Sequence, residues 1–476
     1  MLEERKKQLL FLKSAFALNE GIVPTPKALD WIREQNEKVR VEVRKIPLSD
    51  LDQWLFDKEK TRLTHTSGKF FSIDGIRVTT NWGEIKTWEQ PIINQPEIGY
   101  LGFITKEFNG ILHFLVQAKI EPGNVNHVQL SPTLQATKSN YTRAHKGQAP
   151  NYLDYFTNAT RDQILLDQLQ SEQGARFLRK RNRNIIILVE EEIEVLDNFI
   201  WLTLGQLKQL MAYDNIVNMD TRTVVSGISY GTFSFEEIEQ LPVGSNIGKD
   251  IFSAKMLRSA LFTDKGLHKQ DSLIGFITEQ KCKFELEVHP IPIKELRDWV
   301  VDENSIHHKD HKYFSIIAVE VSISNREVRK WTQPMVQPAQ EGLCAFVCKE
   351  INGTIHFAVQ TKLECGNFDI IEFAPTVQCL TGNYKQTAKG SLPFLDYVLN
   401  APENQIIFDT YQSEEGGRFY REQNRNMIIL AGEELSTELP ENYIWMTLNQ
   451  LQTFIKYNNY INIQARSLIA AIKFAE

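Results

Sequence analysis

The chain has 476 residues, 42% of them hydrophobic and 24% charged, with a formal net charge of −7. That length exceeds what one hydrophobic core fills, so two domains are expected, and the composition is globular rather than disordered or membrane-like. The charge excludes a chain-wide positive field, so neither nucleic acid nor membrane is expected as a partner, and any anionic ligand must be held by a local cluster.

The opening stretch MLEERKKQLLFLKSAF reads as an amphipathic helix: Lys13 interrupts its apolar run, no small-residue cleavage site follows, and no run reaches the ~18 apolar residues of a membrane span. Helical patterning returns at 26–38 and, within IPLSDLDQW from Ile46, at 49–58. Strands are predicted at 70–80 and 99–106. Residues 111–121 alternate cleanly, with Leu112, Phe114, Val116, Ala118 and Ile120 on one side and His113, Gln117, Lys119 and Glu121 on the other, which predicts a strand with one buried and one polar face. A strand at 128–131, a helix at 171–181, a strand at 185–189 and a helix at 203–213 follow. Gly- and Ser-rich loop signals fill 226–248 and place a domain boundary near 240, giving units 1–240 and 241–476.

The second unit repeats the first. WTQP at 331–334 lies 243 positions after WEQP at 88–91, and the same offset carries FNGILHFLVQAKIEPGN at 108–124 onto INGTIHFAVQTKLECGN at 351–367. It also carries SPTLQATKSNY onto APTVQCLTGNY, while QSEQGARF from Gln170 matches QSEEGGRF from Gln412 and IWLTLGQL from Ile200 matches IWMTLNQL from Ile444. Agreement over so many positions is a tandem duplication. Strands and helices mixed without a strict βαβ rhythm predict an α+β sandwich, used twice.

Three places could hold chemistry. On the polar strand face, His113, Gln117, Lys119 and Glu121 offer an acid, a base and donors, and copy two repeats them as His356, Gln360, Lys362 and Glu364; the alternative is the solvent side of an antiparallel sheet. The loop EPGN and the run after it supply Asn124, Ser131, Thr133, Gln135, Ser139, Asn140, Tyr141 and His145, groups that both donate and accept and so suit sugar hydroxyls or a base edge. Copy two keeps Asn367, Thr376, Gln378, Asn383 and Tyr384 but has Gly382 and Ala388 in place of Ser139 and His145. In QSEQGARFLRKRNRN, Arg176, Arg179, Lys180 and Arg183 recur at helical spacing, a basic stripe whose guanidinium forks fit a diphosphate unless Glu172 neutralises it; copy two retains Arg418, Arg421 and Arg425.

Other signals point away from chemistry. HHKDH at 307–311 reads as a hydrophilic surface loop. The five cysteines all fall in the second half, an odd count that suits a reducing, cytoplasmic setting, and Cys344 and Cys348 sit ~13 Å apart along a strand, too far to bridge. There is no Walker loop, GxGxxG, GxSxG or HExxH, so nothing asks for a nicotinamide cofactor or a metal.

The run HFLVQAKIEPGN, VQLSPTLQATKSNYTRAHKG, YLDYF, QSEQGARF and NRN, answered in copy two by PTVQC, GNY, FLDYV and QSEEGGRFY, resembles the nucleotide-diphospho-hexose 2,3-dehydratases over nearly the whole chain. The resemblance implies a duplicated Nudix-like αβα fold, a homodimer, and a nucleotide-sugar pocket in each half, with a dTDP-4-keto-6-deoxyglucose as the usual substrate. The glutamate box of Nudix hydrolases is missing here, so that fold is expected without its magnesium chemistry. The implied reaction removes the C3 proton beside the C4 ketone, expels the C2 hydroxyl and gives a 3,4-diketo-2,6-dideoxy sugar, with no redox cofactor. It needs a base, an oxyanion donor and an acid. By residue type, Tyr141 or His145 would transfer the proton and Lys119 or a backbone amide would face the oxyanion, with Glu121 and His113 as further candidates. A non-catalytic nucleotide-sugar binding protein is the reading of a different class, and a pyrophosphatase a third.

Overall fold

The computed structural model describes residues 4–57, 61–138, 149–239, 251–324, 330–380 and 392–474. Each copy contributes one large mixed sheet and one small antiparallel sheet, flanked by helices. In the first large sheet the strands run in the order Ile164–Ser171, Arg181–Leu188, Gly99–Phe108, Ile111–Ile120 and Phe199–Thr203, with Val128–Ser131 and Leu134–Ala136 on the two central strands. Its one parallel pair joins Arg181–Leu188 to Gly99–Phe108, and copy two repeats the pattern with Gln423–Ala431 and Gly342–Ile351.

The small sheets interlock the copies. Val41–Ile46 of copy one pairs antiparallel with Phe314–Ile323 of copy two, and Leu286–Ile291 of copy two pairs with Ser72–Thr80 of copy one. Each copy thus gives its first strand to the other's sheet. Burial follows the exchange: Leu48, Trp54, Phe71 and Phe177 share one apolar cluster with Ile293, Phe314, Ile316 and Phe419. Neither copy can bury these side chains by itself.

Duplication extends further toward the N-terminus than sequence identity reveals, because Thr25–Glu37 and Gln270–Lys283 are equivalent helices preceding the exchanged strands. The threonines of TLGQ and TLNQ each close a reciprocal capping box, Thr203 with Gln206 and Thr447 with Gln450, which starts Leu204–Leu210 and Leu448–Ile455 at matching places. Asn218 and Asn462 likewise cap Met219–Ser226 and Ile463–Ala470, which pack together at the centre of the chain. There the fully buried Arg222 donates to Ser413 O and Ser467 Oγ, while Arg466 donates to Ser171 O, to Ile461 O at 2.6 Å and to Thr223 Oγ1 at 3.2 Å.

Among the described residues, two expected helices do not form. Residues 48–57 form a 3-10 turn, Leu48–Asp50, and a strand, Trp54–Phe56; the buried Leu48, Leu51 and Trp54 mimic helical spacing, but Gln53 adopts a left-handed φ of 61° that turns the chain. Residues 171–181 form the end of Ile164–Ser171, a tight loop, and the start of Arg181–Leu188. Glu172 N donates to Lys180 O at 3.0 Å, closing the loop, and Arg179 takes a φ of 49°. The basic residues therefore do not form a helical stripe.

The remaining elements match closely, with Val128–Ser131 at its expected bounds and Thr25–Glu37 within one residue of them. Strand Ile111–Ile120 forms, but helices and loops cover both of its faces, so His113 and Leu115 are as buried as Phe114. HHKDH is the turn of a β-hairpin rather than a loose loop, with His307 and His311 stacked at 4.8 Å.

Candidate functional site

The end of strand Ile111–Ile120 carries Lys119 and leads into Glu121 and the turn at Gly123. That turn docks on copy two: Gly123 N donates to Gly416 O at 2.8 Å, and Arg421 N donates to Gly123 O at 2.7 Å. A Cβ on Gly123 would stand 1.7 Å from Phe419 O, so only glycine permits this approach. Docking brings Glu415 and Arg418 of copy two beside Lys119, Glu121 and Gln135 of copy one. Helix Met219–Ser226 adds Asp220.

The pocket is tightly wired. Gln135 Nε2 donates to Glu121 Oε1 at 2.8 Å, and Gln135 Oε1 accepts from Ser131 Oγ at 2.8 Å and Asn218 Nδ2 at 3.2 Å. Lys119 Nζ donates to Gln135 O at 3.1 Å. Arg418 rests on the Phe71 ring at 4.2 Å and is fixed by Gln95 Oε1, which accepts from Nε at 3.2 Å and Nη2 at 3.1 Å.

Electrostatics sets the acids apart. Burial, reinforced by Glu415, Glu121 and Glu172, holds the Asp220 carboxyl well above the usual carboxylate range, against the opposing pull of Lys119. Glu415 keeps part of its surface open, yet burial of its carboxyl and the nearby Glu172 and Glu121 push it up to about 7, with Arg418 and Lys180 opposing. Two carboxyls are therefore raised above the ordinary range in one place, and that of Glu415 is poised to exchange a proton near neutral pH.

A pseudo-symmetric pocket lies on the other side. Gly366 N donates to Gly174 O and Arg179 N donates to Gly366 O, both at 2.7 Å, bringing Arg176 and Gln173 of copy one beside Lys362, Glu364 and Gln378 of copy two. Gln378 Nε2 donates to Glu364 Oε1 at 2.9 Å and Asn462 Nδ2 donates to Gln378 Oε1 at 2.7 Å, the same wiring as in the first pocket. The titratable groups differ: Gln173 stands where the first pocket has Glu415, and Gln464 where it has Asp220. Ala175 stands for Gly417. Among the described residues Gln173 Oε1, both polar atoms of Gln464, Arg176 Nε and Asn367 Nδ2 are buried without a hydrogen-bond partner. Gln173 and Arg176 are buried, whereas Glu415 and Arg418 are only half-buried, so the first pocket is the more open one.

Of the residues the sequence singles out, Lys119, Glu121, Asn124, Gln135 and Arg418 meet in the first pocket, and Lys362, Glu364, Asn367, Gln378 and Arg176 in the second. Gln117 sits half-buried further back on its strand, in register with Ser131 and Phe199. His113 stands apart, six residues from Lys119 or about 20 Å along a strand. Its Nε2 accepts from Ile22 N at 3.2 Å, its Nδ1 lies 2.9 Å from Ile111 O, and burial lowers its pKa, all marks of a neutral core histidine; His356 is held in the same way by Leu267 N and Thr354 O.

Thr133 and Thr376 spend their hydroxyls on the backbone at Leu115 and Ile104, and at Ala358 and Val347. Gln360 donates to Pro375 O at 2.8 Å. Arg183 and Arg425 form fork pairs with Asp167 and Asp409 on the outer strands, while Arg179 and Arg421 occupy left-handed positions and dock through their backbone. Ser139, Asn140, Tyr141, His145, Asn383 and Tyr384 lie outside the described residues.

Asp220, Glu415, Gln95 and Asn218 escaped sequence reasoning. Glu415 left a signal in the contrast of QSEEGG with QSEQGA, but Asp220 sits in MDTRTVVS, a helix with nothing in its pattern to mark a site. No local sequence shows which copy's loop closes which pocket.

Fold and site together define a duplicated α/β protein with a composite, acid-bearing pocket and a fixed arginine at its edge. The sequence matches the NDP-hexose 2,3-dehydratase family over residues 25–228 and again over 270–472, and the chain belongs to that family. Three similar proteins each carry the name dTDP-4-dehydro-6-deoxy-alpha-D-glucopyranose 2,3-dehydratase. That of Saccharopolyspora spinosa is 42% identical over 470 residues, 97% of this chain and 94% of the relative. That of Amycolatopsis orientalis is 39% identical over 466 residues, covering 96% and 92%, and that of Streptomyces violaceoruber 41% over 446 residues, covering 93% and 96%.

Proposed function

We propose that this chain eliminates water across C2 and C3 of a dTDP-linked 4-keto-6-deoxyglucose, and that the pocket of Lys119, Glu121, Asp220, Glu415 and Arg418 carries the reaction. Family membership and the names of the similar proteins support the substrate class. The observation that carries the choice of pocket is the meeting of two carboxyls that burial and like charges raise, Asp220 from one copy and Glu415 from the other, the latter to about 7.

In this reading Glu415, with Glu121 beside it, takes the C3 proton, which the C4 ketone has made acidic. Lys119 faces the negative charge that develops on the C4 oxygen. As that charge returns to the carbonyl, the C2–O bond breaks, Asp220 gives its proton to the departing hydroxyl, and water leaves. The enol that remains gives up the proton of its C3 hydroxyl, takes up one at C2 and becomes the 3,4-diketo-2,6-dideoxy sugar. Arg418 offers a guanidinium fork to the diphosphate. Tyr141 and His145, six and ten positions past Gln135 in the sequence, remain proposed proton-transfer partners.

With this reading go three further proposals: a Nudix-like class for the two units, 1–240 and 241–476, supported by their mixed sheets flanked by helices; a homodimer, carried from the resemblance and checked by light scattering; and a cytoplasmic setting, which the five free cysteines suit. No helix among the described residues is long and apolar enough to cross a membrane. Incubating the protein with dTDP-4-keto-6-deoxyglucose and a coupled 3-ketoreductase tests the function, with a 2-deoxy sugar expected. Return of the hexose with its C2 hydroxyl in place leaves a binding protein instead.

A further inference from the structure

Neighbouring protein atoms account for most glycines in the two docking loops. A Cβ on Gly366 would lie 1.8 Å from Phe177 O, on Gly174 2.0 Å from Asn367 Oδ1, and on Gly416 2.2 Å from Asn124 Oδ1. Gly417 is different. Its φ is not left-handed, and among the described residues a Cβ there would meet only two atoms within 4 Å: Glu415 Oε1 at 3.6 Å and Glu121 Oε1 at 3.7 Å, both ordinary van der Waals distances.

The duplicated loop supplies an internal control. Ala175 occupies the equivalent position, and the backbone around both is anchored alike: Gly417 O accepts from Gln333 Nε2 at 2.9 Å and Arg418 Nη1 at 2.8 Å, while Ala175 O accepts from Gln90 Nε2 at 3.1 Å and Arg176 Nη1 at 3.4 Å. This loop conformation thus accepts a methyl group. Glycine instead carries an entropic cost in the unfolded chain that alanine avoids. Neither backbone geometry nor packing among the described residues demands glycine at 417.

The two atoms facing the vacant position are carboxylate oxygens from different copies, the groups assigned above to the C3 proton. We infer that Gly417 determines substrate specificity: its missing side chain leaves open the space between Glu121 and Glu415 through which the C2–C3 edge of the hexose enters. The second pocket, with Ala175, has that space filled. This inference rests on the proposed dehydration and assigns the hexose, not the nucleotide, to Gly417.

The test is Gly417→Ala, compared with Ala175→Gly in the other pocket, in steady-state turnover of dTDP-4-keto-6-deoxyglucose, in titration with dTDP alone and in thermal melting. Gly417→Ala should melt at or above the wild-type temperature, bind dTDP within about 3-fold of wild type and lose at least ~10-fold in kcat/KM, the scale of one misplaced methyl group in a fitted site. Ala175→Gly should leave turnover unchanged. Wild-type turnover in Gly417→Ala would overturn the inference, as would an equal loss of dTDP affinity, which would place the nucleotide there, or a destabilised variant, which would mean that protein packing does demand glycine. No turnover by the wild-type protein would instead remove the dehydratase reading itself.

Discussion

The two pockets share a scaffold and differ in chemistry. Lys119 and Lys362, Glu121 and Glu364, Gln135 and Gln378, Asn218 and Asn462, and Arg418 and Arg176 occupy matching places, and both pockets are built by a turn of one copy docking on a loop of the other. Where the first has Glu415, Asp220 and Gly417, the second has Gln173, Gln464 and Ala175. An amide is nearly isosteric with a carboxyl but cannot take or give a proton in the working pH range. The strand exchange needs both halves to fold; the proposed proton transfer needs Glu415 and Asp220, whose places the second pocket fills with amides.

The contrast breaks most visibly in turnover. Glu415→Gln or Asp220→Asn should each cost about 10² to 10⁴ in kcat, the usual worth of a positioned acid or base, while Gln173→Glu and Gln464→Asp leave kcat close to wild type in the same coupled assay. If the second pocket is the reactive one, changes there will matter instead. Next in size is Arg418→Ala, expected to raise KM by roughly 10- to 100-fold with a smaller effect on kcat, as for the loss of a charged hydrogen bond to a diphosphate. The same change at Arg176 should leave KM nearly untouched.

Docking predicts a smaller effect that both pockets share. Gly123→Ala and Gly366→Ala each force a methyl group onto a backbone carbonyl, at 1.7 and 1.8 Å, and should destabilise the chain by about 1–3 kcal/mol, read as a fall in denaturation midpoint. A variant that melts like the wild type would mean the loops are not held as described.

The smallest effect is in pH. The Glu415 pKa lies near 7 in the folded chain against an ordinary 4.5, so its contribution to stability is full below 4.5 and is lost as pH rises through about 7. Glu415→Gln, fixed in the neutral form, should melt with the wild type in acid and above it once pH passes 7. A pH-independent difference would contradict the assignment.

Much of this was legible in the sequence. The repeat was plain because identical motifs recur at a nearly fixed offset, and Lys119, Glu121, Gln135 and Arg418 were singled out from residue type and repetition. Alternation marked the strand at 111–120 but not what covers its second face, so His113 looked available when Ile22 and Ile111 hold it in the core. Helical spacing misled twice, at Leu48, Leu51 and Trp54 and at Arg176, Arg179 and Arg183, because left-handed residues at Gln53 and Arg179 turn the chain and cannot be read from side-chain period. Asp220 and the pairing of each turn with the other copy's loop are tertiary facts. They follow from strand exchange, which leaves no local trace.

In the proposed reaction Glu121 of one copy and Glu415 of the other act as one unit. Turnover of Glu121→Gln, Glu415→Gln and the double variant measures this directly. A composite centre predicts that each single change removes most of the rate and that the double loses no more than the worse single. Losses that simply multiply, or a Glu415→Gln enzyme as fast as wild type, would mean that the two copies do not share a reactive site.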